Sequence, residues 1–293
     1  MKKWSLFLGI YFCLCLILGG CGAAQTAGKT GGSAPAGASV SGEDLSAGGT
    51  EAAEGVTETF RVIQADGGVL LLAKENGDSG DVYTLVTENL PFDSDENLTA
   101  GALAEITYDG MILETYPAQF ANVTSVNILP DGFNDLCALY LDVLEDLWTV
   151  DPGLNSDGLT YIGADLSRTR LTDSEQSAVA WAFAARHSGE PVTGTFQELA
   201  EQGYFTASHV STLAPEEGEP IPAAWYQWED GCLFSVTETE GDVYFLPEGE
   251  EAVSFDAQKW RSGTGAYFFC DCTAFRDRDG HWVGYTVGAE AIS

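Results

Sequence analysis

Residues 130–148 read PDGFNDLCALYLDVLEDLW, and the patterns on either side of this stretch set the fold class. Pro130-Asp131-Gly132 is a turn signal. After it, Phe133, Leu136, Cys137, Tyr140, Leu141, Leu144, Leu147 and Trp148 recur at the three-and-four spacing of one helix face. Asp142, Glu145 and Asp146 fall on the other side, and Asp151-Pro152-Gly153 ends the run. Upstream of the turn the pattern is one of short strands. The chain therefore changes character near residue 130.

Working back from that boundary, Thr59-Phe60-Arg61-Val62-Ile63 runs into Ala65-Asp66-Gly67-Gly68, a hairpin signal, and then into residues 69–73. A third strand is expected at 82–86. Residues 104–108 lead through Asp109-Gly110 into 111–114, and 123–129 close the set. Short strands with Asp-Gly and Gly-Gly turns predict a small all-β barrel or sandwich over 57–130. The stretch ITYDGMILETYPA, residues 106–118, resembles one in small β-barrel domains of unknown function from lipoproteins of Gram-positive bacteria. That resemblance implies an OB-like barrel and brings no activity with it.

Forward of the boundary, a strand is expected at 159–166. Thr172-Asp173-Ser174-Glu175 forms a capping box for a helix running through Ala178, Val179, Trp181, Ala182, Phe183 and Ala185 to about 187. Thr195-Phe196-Gln197-Glu198 is a second box, opening a shorter helix that stops at Gly203. After a polar loop at 214–222, residues 225–292 read as an antiparallel meander. Its strands lie near 231–239, 252–261, 265–276 and 281–288, with Asp277-Arg278-Asp279-Gly280 as the last turn. The expectation for 131–293 is an α+β domain with helices packed on an antiparallel sheet. Its layout is similar to cystatin-like and NTF2-like domains. KWRSGTGAYFF (259–269) and GAEAIS (288–293) resemble uncharacterised lipoproteins of the same bacterial group.

The N-terminus explains the word lipoprotein. Residues 1–25 read MKKWSLFLGIYFCLCLILGGCGAAQ. Lys2 and Lys3 precede an apolar run that is short for a transmembrane helix, which needs about 20 apolar residues. Leu18-Gly19-Gly20-Cys21 is similar to a bacterial lipobox. The resemblance implies cleavage of the 1–20 signal peptide and a diacylglycerol thioether on Cys21. Two acyl chains suffice for stable attachment to a cell membrane. Residues 21–56, rich in Gly, Ala, Ser and Thr, then read as a flexible tether spanning about 30 Å.

Charge narrows the partners. The chain carries 12 Lys and Arg against 45 Asp and Glu, a formal charge of −33. Loss of Lys2 and Lys3 with the signal leaves about −35. Such a chain does not bind nucleic acid by counterion release and is repelled by anionic polymers. Of seven cysteines, Cys13 and Cys15 leave with the signal and Cys21 is the lipid site. Cys137, Cys232, Cys270 and Cys272 remain. Cys270 and Cys272 lie two apart on one strand, so they are expected to point the same way. Free buried thiols, or one disulfide from Cys232 to Cys270 or Cys272, are both open. The spacing is not that of a zinc site.

Motifs for chemistry are sparse. Asp93-Ser94-Asp95-Glu96-Asn97-Leu98 starts like a calcium loop but has Leu98 at the glycine position and Ala104 at the bidentate acid position. His187, His209 and His281 fit no metal-protease spacing. A nucleophile built from Cys270 or Cys272 with His281 would need a thiolate within reach of the imidazole. Trp225, Tyr226 and Trp228 cluster before the meander, and Trp260, Tyr267 and Trp282 lie within it. Exposed rings on a sheet stack sugars or grip peptides. Lys259 and Arg261 flank Trp260 and are expected on the opposite strand face, paired with acids or holding an anion. The sequence thus leads to an extracytoplasmic, lipid-anchored, non-catalytic binding module. Its expected ligand site is Trp260, Tyr267, Trp282, Lys259 and Arg261, with a protein or wall component as partner and no metal or cofactor. A hydrolase sited in the α+β region is the alternative class, and a structural or cation-buffering surface protein is a third.

Overall fold

In the computed structural model, residues 55–88, 90, 98–156, 158–213, 221–240 and 251–293 are described, with backbone alone over 208–213 and 221–224. The lipobox with Cys21, residues 21–54 of the expected tether and the acidic loop 93–97 lie outside the described residues, and the tether's last residue, Val56, instead opens the first strand. Two sheets and few helices make the chain mostly β, of α+β class.

The first sheet is built from β1 (Val56–Asp66), β2 (Val69–Lys74), β3 (Val82–Val86), β4 (Leu103–Tyr108), β5 (Ile112–Leu113), β6 (Ala118–Phe120) and β7 (Val123–Leu129). Its order is β5-β6-β3-β2-β1-β4-β7, and β5 and β7 do not join. Strand β6, which pairs parallel to β3, was not among the expected strands. Strand β1, with a bulge between Val62 and Gln64, buries neighbouring side chains on both of its faces. Val62 joins Phe60, Leu70, Leu72, Leu85 and Ile106 in a core of the sheet's own, whereas Ile63 joins Leu71, Ala73 and Val82 facing the helices.

A 3₁₀ turn (Pro130–Gly132) leads into α1 (Leu136–Thr149). Then follow β8 (Tyr161–Arg168), α2 (Asp173–Arg186), β9 (Glu190–Thr193), α3 (Phe196–Glu201), β10 (Thr206–Leu213), β11 (Ile221–Gln227), β12 (Gly231–Thr239), β13 (Glu251–Ser262), β14 (Gly265–Arg276), β15 (Trp282–Thr286) and β16 (Ala289–Ile292). Both capping boxes form. Thr172 Oγ1 accepts from the Glu175 N–H and Glu175 accepts from Thr172 N–H, and Thr195 and Glu198 repeat the pattern. Each such cap contributes about 1 kcal/mol.

The second sheet runs β10-β11-β13-β12-β8-β9, with β14 on the other edge of β13 and both β15 and β16 on β14. The expectation of an antiparallel sheet is corrected here. β12 pairs parallel to β8, and β8 parallel to β9. The physical reason is α2, which carries the chain back so that β8 and β9 run the same way. Strands β12, β13, β14 and β15 do form the expected antiparallel run, with the Asp277–Gly280 turn closed through Gly280 N–H to Asp277 O at 3.1 Å, and β16 adds an unexpected strand on β14.

Helix α2 packs on β1, β2 and β3 of the first sheet and on β8 and β9 of the second. Its buried residues are mostly small: Ser174, Ser177, Ala178, Val179, Ala180, Ala182, Phe183 and Ala184. A helix buried on two sides has no polar stripe of ordinary width, and small side chains let both sheets approach. Arg61 adds a polar tie. Its Nε donates to Glu175 Oε1 at 3.3 Å, and Nη1 donates to the Gly101 and Gly132 carbonyls.

Candidate functional site

The five residues expected at the ligand site do not come together at one. Lys259 is fully buried. Its Nζ donates to the Val150 carbonyl, to the Asp151 carbonyl at 3.1 Å and to Asn155 Oδ1 at 2.8 Å. Arg261 donates to the carbonyls of Leu154 (3.2 Å), Glu229 (2.8 Å) and Trp228 (3.4 Å). Both cations therefore pin backbone, the loop after α1 and the turn before β12. They neither pair with carboxylates nor present themselves to an anion, which corrects that expectation. Burial pushes the Lys259 pKa below the ordinary lysine value.

Tyr267 lies opposite Lys259 in the β13–β14 ladder, so it shares the inner face. Its ring packs against the main core and its hydroxyl donates to the Glu290 carboxylate. Trp282 is 8 % exposed and belongs to the core. Its indole N–H donates to Asn134 Oδ1 at 3.1 Å and its backbone N–H to Asp135 Oδ1 at 2.9 Å. Trp282 locks β15 to the start of α1, and its place in the expected ligand face is corrected accordingly.

Trp260 alone points to the outer face. Its ring meets Phe196 (4.9 Å between centroids, 81°) and Phe205 (4.8 Å). Beneath them lies a satellite core of Val192, Leu199, Phe205, Trp228 and Leu233. Helix α3 is only six residues long and covers part of this face. The uncovered part is an open groove of about 410 Å³ walled by Phe196, Trp225, Tyr226 and Trp260, with Gly263 at its edge. Trp225 is 47 % exposed and Phe196 38 %. A Cβ at position 263 would stand 3.3 Å from Trp225 Cε3, so a glycine there lets the indole lie close to the strand.

Sequence reading brought Trp225, Tyr226 and Trp260 forward but missed Phe196 and Gly263. Phe196 was legible in one respect: it sits directly after the N-cap of a boxed helix, where a first-turn side chain stays near the surface. Trp228, in contrast, is a core residue. A Cβ on Gly231 would be 2.0 Å from its Cε2, so only glycine fits there.

The cysteines and histidines form no reaction centre among the described residues. All four described thiols are free. Cys232 on β12 and Cys270 and Cys272 on β14 are separated by β13, roughly 10 Å at two strand spacings. A disulfide needs Cα atoms within about 7 Å, so the Cys232 bridge is ruled out. A bulge at Asp271, whose φ is +53°, breaks the alternation, and Cys272 is buried while Cys270 is partly exposed. Burial pushes Cys232 and Cys272 up to about 12, and raises Cys137 and Cys270 as well. A nucleophilic thiol needs the opposite shift. His281 Nδ1 bonds Asp135 Oδ2 at 3.0 Å, and His187 stacks on Trp148 at 3.7 Å with Nε2 3.0 Å from Glu145 Oε2. The side chain of His209 lies outside the described residues. Among the described residues no three His, Cys, Asp or Glu side chains are placed to hold a metal ion.

Comparison with protein-family models, with curated protein sequences and with solved structures returned no match.

The role given to Lys259 predicts the behaviour of Lys259→Met. The variant leaves the Val150 and Asp151 carbonyls and Asn155 without their donor, and unfolding in urea should show a loss of about 1–3 kcal/mol. The pH trend has a definite sign. A lysine whose folded pKa lies below 10.5 binds fewer protons folded than unfolded in that window, so stability rises with pH there. The wild-type advantage over Lys259→Met should therefore widen as pH rises toward 10. A shrinking gap would contradict the burial of a charged amine.

Proposed function

We propose that this chain is an extracytoplasmic lipoprotein, held to the cell membrane by lipid on Cys21, whose C-terminal region binds a ligand without transforming it. The observation that carries the binding half is the groove of Phe196, Trp225, Tyr226 and Trp260, where large rings converge at the surface instead of the core. Aromatic rings supply large contact area at low conformational cost, which is why they dominate recognition surfaces. The anchoring half is supported by the charged, apolar and small-residue order of residues 1–21.

The first sheet fits an OB-like small barrel in this reading. Phe120 on β6 meets Tyr108 on β4 at 5.1 Å and Phe60 on β1 at 5.4 Å, so the arms of the sheet curl toward each other across the Phe60 core. Its role is that of a scaffold between tether and binding region. A protein or wall component is the partner class, and the acidic charge speaks against nucleic acid. A hydrolase has less support, since the described thiols are raised in pKa and the described side chains of His187 and His281 are committed to carboxylates.

Two outcomes are expected. Wall fragments and short peptides screened against the full chain should yield a ligand whose affinity falls at least about tenfold in Trp260→Ala or Trp225→Ala, with circular dichroism unchanged. A ligand held equally by both variants would place binding elsewhere. Intact-mass analysis of membrane-extracted protein should show diacylglycerol on Cys21, and Cys21→Ala should release the chain or leave it uncleaved. Recovery of wild type only in an unlipidated form would contradict the anchor.

A further inference from the structure

The first sheet carries an open edge, which gives it a role beyond that of a scaffold. Strand β7 pairs with β4 on one side and, among the described residues, with no strand on the other. In an antiparallel ladder, facing residues alternate between pairs that exchange two backbone hydrogen bonds and pairs that exchange none. On β4 the even-numbered residues spend their bonds on β1. The Val62 N–H donates to Ala102 O at 2.8 Å, and Ala104, Ile106 and Tyr108 follow in register opposite Phe60, Glu58 and Val56. The odd-numbered residues face β7. The Asp109 N–H donates to Asn122 O at 3.2 Å, and Glu105 and Leu103 stand opposite Asn127 and Leu129. Val126 and Ile128 lie opposite Ile106 and Ala104, the pairs that exchange no bonds. Their N–H and C=O groups therefore point to the open edge, and among the described residues no other group bonds them.

Edge strands are normally blunted by charge, proline, shortness or a bulge. Strand β7 reads VTSVNIL, seven residues with no charged side chain, no proline and no glycine. Its bulge, facing Thr107 and Tyr108, lies at the start and leaves residues 125–129 regular. The other edges whose side chains are described are blunted. β5 has two residues, β9 contains Glu190 and Pro191, and β15 and β16 are short and carry Gly284 and Glu290.

The surroundings select the occupant. Val126 turns its side chain into the Phe60 core. Ser125 and Asn127 are exposed on the other face, where Asn127 Nδ2 donates to Glu105 Oε2 at 3.1 Å. Asp109 and Asp131 stand beyond the two ends of the ladder, and neither β4 nor β7 contains a lysine or arginine. A second copy would bring two chains of −33 together, whereas a basic segment meets a field of opposite sign.

We propose that β7 takes up an extended, basic segment of a partner protein as a further strand of the first sheet. The backbone of Val126 and Ile128 pairs with it. Its alternate side chains are apolar on the side of the barrel core and basic on the side of Asn127 and Glu105. Main-chain bonds of this kind supply affinity, and the alternating side chains supply specificity.

The test uses the full chain in a neutral polyoxyethylene detergent at low salt. The probe is a blocked peptide of alternating lysine and valine, titrated by calorimetry, with residue-resolved amide exchange to report the site. The probe should slow exchange at Val126 and Ile128 and bind at least about tenfold more tightly than its glutamate–valine counterpart. Ile128→Pro removes one edge-facing N–H where an edge strand tolerates proline, and should weaken the probe at least about tenfold. Asn127→Lys keeps the backbone edge and sets a positive charge beside it, and should weaken the probe at least about threefold at low salt. A thermal melt checks folding of both; if Ile128→Pro does not fold, Asn127→Lys and the exchange pattern decide. Trp260→Ala should leave the affinity unchanged, which separates this edge from the aromatic groove. No binding of the probe, or equal binding of the glutamate peptide, would overturn the proposal. Binding that leaves exchange at Val126 and Ile128 untouched would overturn it too. Slowed exchange there in the chain by itself at high concentration, lost in Ile128→Pro, would overturn the basic partner in favour of a second copy.

Discussion

Everything in the described residues depends on α2 serving two sheets at once. A helix of 14 residues, about 21 Å long, lies between β1–β3 on one side and β8–β9 on the other. Ala178, Ala180, Ala182 and Ala184 keep its diameter small enough for both contacts. The main core is accordingly continuous: Ile63, Leu71, Ala73 and Val82 from the first sheet share it with Phe183, Phe234, Phe255 and Trp282. Small side chains contribute little area each. Their value is geometric, because a larger residue at these points has no empty space to enter.

The same arrangement explains the open aromatic groove. With α1 and α2 on the inner side of the second sheet, α3 is the helix that, among the described residues, covers the outer side near Trp260. Six residues of helix cover Leu233 and Trp228 but leave Trp225, Phe196 and part of Trp260 at the rim. Lys259 and Arg261 act from the opposite face, fixing the loops that frame this end of the sheet. A rigid strand with rings on one side and clamped loops on the other is a suitable base for a preorganised site.

Local chemistry was legible in the sequence where a few adjacent residues decide the outcome. The two capping boxes, the Asp277–Gly280 turn and the strands from Gly231 to Arg276 follow from such short signals. Partner choice was not legible. Nothing in the run Tyr161–Arg168 says that its neighbours are parallel, and β9 is four residues long with a proline in it. Alternation told which side chains of β13 share a face, so Lys259 and Arg261 were rightly placed together and opposite Trp260. It could not tell which face meets the core, so a fully buried lysine held by carbonyls was expected to pair with acids or hold an anion. One bulge at Asp271 undid the alternation for Cys270 and Cys272. Trp282 looked like a surface ring because its partners, Asn134 and Asp135, lie about 147 residues upstream.

The most direct measurement of the shared-helix account is residue-resolved amide hydrogen exchange on wild type and Ala182→Leu. Overpacking at this fully buried alanine should cost about 1–3 kcal/mol. If α2 holds both sheets in one cooperative unit, the most protected amides of β2 and of β8 should lose protection by matching amounts. Full wild-type protection retained in β2 while β8 loses its own would contradict the account and make the first sheet an independent body.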